Sequence, residues 1–211
     1  MELQDIAKGE FVEVTKQEFE KVMKQVGSEA FQKQYDRFFH PSRKNGYYIH
    51  IGDISSDGML QALGCYVLVV GNIKAKFVNV CDPMKSESGE FIVIGNIECD
   101  YFTNWFGKTV FIDGNLKVNK VASVGQDDSA TQIFKDLQAE FYHSSNGWAD
   151  VAGKASLKYG LGYTLPFEYE DAEEEATEPQ HSEEESAAFL GTTVEEIEDG
   201  DFMIELFANI N

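Results

Sequence analysis

The feature that most constrains this chain is a short segment that recurs four times, an apolar run followed by glycine and a polar residue. The copies are IHIGDISSD from Ile49, LVVGNIKAK from Leu68, IVIGNIECD from Ile92 and FIDGNLKVN from Phe111. Their glycines lie 19, 24 and 19 residues apart. A weaker fifth copy, FKDLQAEFY, comes next, and a faint sixth begins at Gly153. A period of about twenty residues is typical of solenoid proteins.

The residues within and between the copies favour a parallel β-helix over other solenoids. The copies are short and rich in β-branched residues, and no pattern of helical length separates them. The signature of leucine-rich repeats is also missing. We therefore predict a mainly β fold, a single-stranded parallel β-helix of about five to six coils, with one coil per repeat. The predicted β-helix covers residues 47–165.

The polar residue after each glycine predicts hydrogen-bonded ladders between coils. Glycine and asparagine tolerate the positive φ that a bend between two faces requires. Stacked coils would align these side chains, so that their amides hydrogen-bond along the stack. The aliphatic residue that follows is expected to point into the interior. The predicted structural repeat residues are Gly52, Gly71, Asn72, Gly95, Asn96, Gly114 and Asn115.

In the strands before the glycines, apolar residues occupy both alternating sets of positions. Because neighbouring side chains on a strand point to opposite faces, both faces of these strands are apolar. Such strands are usually covered on both sides. Residues 1–46 provide one candidate cover, because a capping box at Thr15 and apolar residues at helical spacing predict a helical N-terminal cap. A partner protein is the other candidate. In that alternative Leu68, Ile92 and Phe111 belong to a partner-binding face.

Charge divides the chain into two parts. It carries 37 acidic and 17 basic residues, a formal net charge of -20. Residues 159–211 contain 16 of the acids and no Lys or Arg. Residues 166–187 are acidic and of low complexity, which predicts a flexible arm. Residues 188–211 are apolar enough to dock on the solenoid.

This charge balance disfavours nucleic acid as a partner, since a phosphate backbone requires a basic surface. An acidic surface instead attracts a basic protein and speeds its association. The candidate partner-binding residues in the acidic part are Glu173, Glu174, Glu175, Glu183, Glu184 and Glu185.

Residues with catalytic or metal-binding chemistry are scattered. The three cysteines form no CxxC pair, and the four histidines have no metal-ligand spacing. No GxSxG, P-loop, HExxH or EF-hand sequence occurs. We therefore predict no catalytic residues, no metal site and no cofactor, and we expect that the protein is not an enzyme.

Targeting signals are equally absent from the sequence. The N-terminus lacks the basic and apolar regions of a signal peptide. The longest apolar run, Cys65 to Val70, is too short to span a bilayer. We expect a cytoplasmic protein without a membrane partner.

The Gly-Asn-Ile repeats at 49–141 resemble the bactofilin, or polymer-forming cytoskeletal, type of bacterial β-helix. That resemblance implies a filament-forming scaffold. A helical N-terminal cap on such coils also resembles bacterial proteins associated with toxin–immunity loci. Bactofilin coils are more uniform and leave both ends free to stack. Here residues 1–40 and 186–211 are available to cover both ends, which predicts a monomer or a small closed oligomer.

We predict a non-catalytic protein-binding module, most specifically a cytosolic immunity-type protein that binds and occludes a basic toxin or enzyme. A different role for the acidic residues is to keep a sticky solenoid soluble. Two other classes remain as alternatives, namely a filament-forming scaffold and an enzyme with its site in a groove of the β-helix.

Overall fold

The computed structural model describes residues 6–38, 46–62, 65–80, 89–104, 108–124, 129–145, 147–168, 171–198 and 206. It confirms the predicted fold, a mainly β protein in which parallel sheets form a solenoid of about five turns. The strands are β1 (Phe11–Val14), β2 (Tyr47–Ile51), β3 (Ile54–Gln61), β4 (Tyr66–Val70), β5 (Ile73–Asn79), β6 (Gly89–Ile94), β7 (Ile97–Thr103), β8 (Lys108–Ile112), β9 (Leu116–Val124), β10 (Ala130–Ile133), β11 (Leu137–Ser144), β12 (Ala149–Val151), β13 (Ala155–Leu161) and β14 (Thr164–Leu165). The helices are α1 (Lys16–Val26), α2 (Glu29–Tyr35), α3 (Ala172–Glu175), α4 (Glu183–Leu190) and α5 (Val194–Glu198).

The strands form two sheets that face each other across one interior. Sheet A has the order β1-β2-β4-β6-β8-β10-β12-β14, and sheet B has the order β13-β11-β9-β7-β5-β3. Each coil contributes one strand to each sheet, so neighbours within a sheet are successive coils and pair in parallel. The exception is β1, which pairs with β2 in antiparallel orientation at the first edge of sheet A.

The glycines of the repeat lie where successive coils approach most closely. A Cβ atom at Gly71 would lie 2.2 Å from the carbonyl oxygen of Gly52, and one at Gly95 would lie 2.2 Å from that of Gly71. Both glycines also have positive φ, +153° and +150°. Glycine is therefore required here by space as well as by backbone conformation.

The residues after the glycines form the expected ladder. Asn72 donates from its backbone N–H and its Nδ2 to Asp53 Oδ1, at 2.7 and 3.1 Å. Asn96 donates to Asn72 Oδ1 in the same way, both at 3.0 Å, and Asn115 donates to Asn96 Oδ1 at 2.9 and 2.8 Å. The backbone N–H of Asp136 continues the ladder to Asn115 Oδ1 at 3.1 Å. The aliphatic side chains that follow are buried in the interior, namely Ile73, Ile97, Leu116 and Leu137.

Helices α1 and α2 lie against the outer face of sheet A. Leu68, Ile92 and Phe111 are 0% exposed beneath them, and the ring of Phe31 in α2 meets that of Phe111 at 5.9 Å, edge to face. The prediction that these three strand residues bind a partner is therefore wrong. The physical reason is that the apolar stripe of the N-terminal helices already removes this face from water.

The N-terminal region is thus more than an end cap. The capping box that begins α1 is present, with Glu18 N–H donating to Thr15 Oγ1 at 3.3 Å and Thr15 N–H donating to Glu18 Oε2 at 3.0 Å. Strand β1 covers the edge of the first coil in sheet A, and the helices cover its flank.

The acidic residues 171–187 differ from the predicted flexible arm. They contain α3 and the first part of α4, and their backbone hydrogen-bonds to the last coil at Leu157, Lys158 and Thr164. Helix α4 begins with a capping box in which Glu185 N–H donates to Ser182 Oγ at 3.3 Å. The overall polarity of the segment hides a few apolar side chains, such as Ala187, that anchor it.

Candidate protein-binding surface

The acidic surface of the molecule lies at the C-terminal end of the solenoid. We call residues 171–198 the C-terminal cover. The cover contains no Lys or Arg. Its described carboxylates that are exposed are Asp171, Glu174, Glu175, Glu178, Glu183, Glu184, Glu185, Glu195, Glu196 and Glu198. Negative charge is therefore concentrated on one ordered end of the molecule.

Backbone hydrogen bonds fix the cover to the last coil in both sheets. In sheet A, Thr164 and Thr177 exchange two bonds of 2.9 Å. In sheet B, the N–H groups of Gln180 and His181 donate to the carbonyls of Leu157 and Lys158, at 3.0 and 3.1 Å. The cover thus occupies strand edges that would otherwise be open for pairing.

Aromatic rings hold the cover on the outer face of sheet B. The ring of Tyr159 stacks with that of His181, at 4.3 Å, and with that of Phe189, at 4.4 Å. Beside this stack, Ala187 and Ile197 of the cover join a buried cluster with strand residues of sheet B. The cover is therefore docked by apolar contacts, although its outer surface is acidic.

A buried histidine connects helix α5 to sheet B. His143 is 0% exposed, and its Nε2 donates to the carbonyl of Ile197 at 3.2 Å. Its Nδ1 then accepts a hydrogen bond from the Ser123 hydroxyl at 3.1 Å. Burial lowers the pKa of His143 to about 4, so the ring is neutral at physiological pH. With no exposed surface, this serine–histidine pair serves as an anchor for α5.

Capping hydrogen bonds lower the pKa values of two carboxylates in the cover, which keeps these groups ionised. The pKa of Glu185 is lowered by its hydrogen bonds to Ser182 and His181. The pKa of Glu196 is lowered by hydrogen bonds from Thr192 and Thr193. Both carboxylates are exposed and support helix N-termini, so they combine a structural role with the acidic surface.

A cleft opens between the cover and the last coil. We call it the cover cleft. It has a volume of about 510 Å³ and lies between the turn at residues 161–163 and the segment 178–183. Two exposed carboxylates, Glu178 and Glu183, line it together with Tyr163 and His181. The cleft thus combines polar and charged side chains around a concave surface.

The glutamates that the sequence predicted to bind a partner lie in α3 and in the first turn of α4. Glu174 and Glu175 lie exposed in the short helix α3, and Glu183, Glu184 and Glu185 form the exposed first turn of α4. Glu173 belongs to α3, but its side chain lies outside the described residues. Of these residues Glu183 lines the cover cleft, whereas Glu174, Glu175, Glu184 and Glu185 lie outside its lining.

Sequence reasoning missed Glu178, Tyr163 and His143. A signal for the order of the cover was present, because Ser182 and Glu185 have the spacing of a capping box. No comparable local signal marks Glu178, Tyr163 or His143, because their roles depend on which coil the cover contacts.

The outer face of sheet B carries a second charged pattern, also missed from the sequence. Charges of opposite sign alternate along stacked coils, with ion pairs from Lys117 to Glu98 at 3.6 Å, from Lys120 to Asp100 at 3.7 Å and from Lys158 to Glu140 at 2.6 Å. The opposite charges within each pair cancel, so these pairs add no net charge to the solenoid body. The net negative field therefore comes chiefly from the cover.

Within the described ranges, no group of three or more His, Cys, Asp or Glu side chains is arranged to hold a metal ion. None of the helices in the described part of the chain has the length and apolarity needed to cross a membrane.

Comparisons with protein-family models, curated proteins and solved structures found no match for this chain. The resemblance to bactofilins and to proteins of toxin–immunity loci therefore stays a hypothesis.

Proposed function

We propose that this protein is a non-catalytic binding module whose C-terminal cover binds a basic protein. The observation that supports the proposal is the ordered acidic surface of the cover, with ten exposed carboxylates and no Lys or Arg. Fixed charges of one sign on one end raise the rate at which an oppositely charged protein arrives in the correct orientation. A solubilising arm needs no docking, whereas this segment is docked by hydrogen bonds to the last coil.

The more specific form of the proposal is an immunity-type protein that occludes a basic toxin or enzyme in the cytosol. A nuclease is the natural candidate, because its active site must be basic to hold phosphates. The covered strand edges of the last coil and the β1 strand on the first coil support a discrete particle over an end-stacked filament.

The experiment begins with cross-linking capture from the source lysate, followed by identification and purification of the basic protein. Association is then measured for the parent and for a variant with Glu174, Glu175, Glu195 and Glu198 changed to Gln. These positions avoid the capping carboxylates, so the cover stays folded. We expect association at low salt to slow by about tenfold or more and its salt dependence to flatten.

The matched control changes Glu10, Glu13, Glu20 and Glu29 to Gln, which removes the same charge from the opposite part of the chain. Equal association rates for the two variants would overturn the cover as the binding surface. For the occlusion proposal, the activity of the captured protein is measured with and without an equimolar amount of this chain. Unchanged activity of the fully bound partner would refute occlusion.

A further inference from the structure

The cover cleft has a negative wall. Glu178 and Glu183 line it from the side of the cover, and both are exposed. Lys and Arg are missing from the part of its lining that the structure describes. A ligand that enters this cleft therefore meets two carboxylates without a competing cation.

The opposite wall presents a fixed aromatic ring. Tyr163 lines the cleft and is half-buried. Its ring stacks on Trp148 at 5.9 Å with an angle of 19° between the planes. Because this contact fixes the ring, Tyr163 offers a rigid surface of the kind that attracts cations.

The floor of the cleft contains a buried hydroxyl. Ser144 lines the cleft and is only 6% exposed. The neighbouring hydroxyl of Tyr142 donates its proton to the Tyr163 carbonyl at 2.9 Å. The Ser144 hydroxyl has almost no solvent-accessible surface and lies beside the Tyr142 hydroxyl. Because these hydroxyls are buried within the protein, recognition of a ligand depends on the exposed carboxylates and on the Tyr163 ring.

The two carboxylates and the aromatic ring fit one chemical group best. A guanidinium is planar, is always charged, donates in parallel to carboxylates and stacks on aromatic rings. An ammonium group has the charge but lacks the stacking plane. From these contacts we infer that the cover cleft receives an arginine side chain of the basic partner, an inference that rests on the function proposed above.

The test uses N-acetyl-arginine amide as the probe and follows backbone amide resonances of the intact protein by NMR. N-acetyl-citrulline amide is the matched neutral probe, because it keeps the shape and loses the charge. We expect the arginine probe to shift the amides of residues 160–163 and 180–183, with little effect from the citrulline probe. The variant Glu178→Gln/Glu183→Gln is expected to weaken binding of the arginine probe at least tenfold.

The control variant is Glu174→Gln/Glu175→Gln, which removes the same charge outside the cleft lining. It is expected to bind the arginine probe like the parent. Equal weakening in the two variants, or equal shifts with the citrulline probe, would overturn the inference. The spectra themselves report whether each variant is folded.

The outcomes for the cleft and for the proposed function are separable. If the basic partner depends on the cover carboxylates but the arginine probe shifts no cleft amide, only the role of the cleft is refuted. If the probe binds in the cleft while partner association ignores the cover carboxylates, the cleft is an arginine site, and the proposed surface for the partner is wrong.

Discussion

Acid should weaken the attachment of the C-terminal cover, because the cover is anchored by His143, which is neutral in the folded protein. The pKa of buried His143 is lowered to about 4, against 6.5 for an exposed histidine. Between these values the unfolded chain binds a proton that the folded protein does not bind. Folding stability is therefore fully present above about pH 6.5 and is lost as the pH falls toward about 4.

The size of the effect follows from the two pKa values. At about pH 5 the linkage relation gives a loss of about 2 kcal/mol relative to pH 7, and the limit near pH 4 is about 3 kcal/mol. The substitution His143→Gln removes the titrating group and retains a side chain that accepts from Ser123 and donates to the Ile197 carbonyl. Any stability that the substitution itself removes at neutral pH cancels, because the free energy of unfolding of each protein is compared with its own value at the second pH.

The assay is urea unfolding of the parent and His143→Gln at about pH 7 and about pH 5, followed by intrinsic fluorescence. The parent is expected to lose about 2 kcal/mol more than the variant over this interval. Carboxylates that titrate in the same range are common to both proteins and cancel in the difference. Equal losses in parent and variant would refute the assignment of His143 as a buried, neutral anchor.

Three further predictions concern the repeat. Ile97→Asp places a charge in the interior and is expected to abolish the folded far-UV circular dichroism spectrum, because an unpaired buried charge costs several kcal/mol, whereas Glu98→Ala on the outer face is expected to melt within a few degrees of the parent. Gly95→Ala is expected to cost at least about 2 kcal/mol in urea unfolding, because its Cβ would meet the preceding coil and its φ is positive. Gly9→Ala also has positive φ but open space around it, so equal losses would show that contact between coils is unimportant. Asn96→Ala is expected to cost about 1 kcal/mol by the loss of ladder hydrogen bonds at an exposed corner, and an unchanged midpoint would contradict that role.

The β-helix could be predicted from the sequence because the same local sequence pattern specifies every coil. The glycine, the polar residue and the aliphatic residue recur at fixed offsets, and stacking in register makes equivalent residues neighbours. A column such as Ile73, Ile97 and Leu116 therefore follows from the spacing of the repeats alone. Acidic character and the absence of bases after Lys158 are likewise properties of the sequence, and they direct attention to the C-terminal part.

The tertiary structure decided what covers each face and which acids surround a concave site. Phe31 meets Phe111, and Gln180 meets Leu157, across long stretches of chain that no local pattern connects. Composition predicted a flexible arm for residues 166–187, because it averages over the segment, while a few apolar contacts and one capping box suffice to dock its described part. The cover cleft follows from that docking, since Glu178 and Tyr163 become neighbours only when the cover lies on the last coil. The repeat thus determined the solenoid through contacts at a constant sequence separation, and the binding surface arose from contacts at separations that the sequence does not mark.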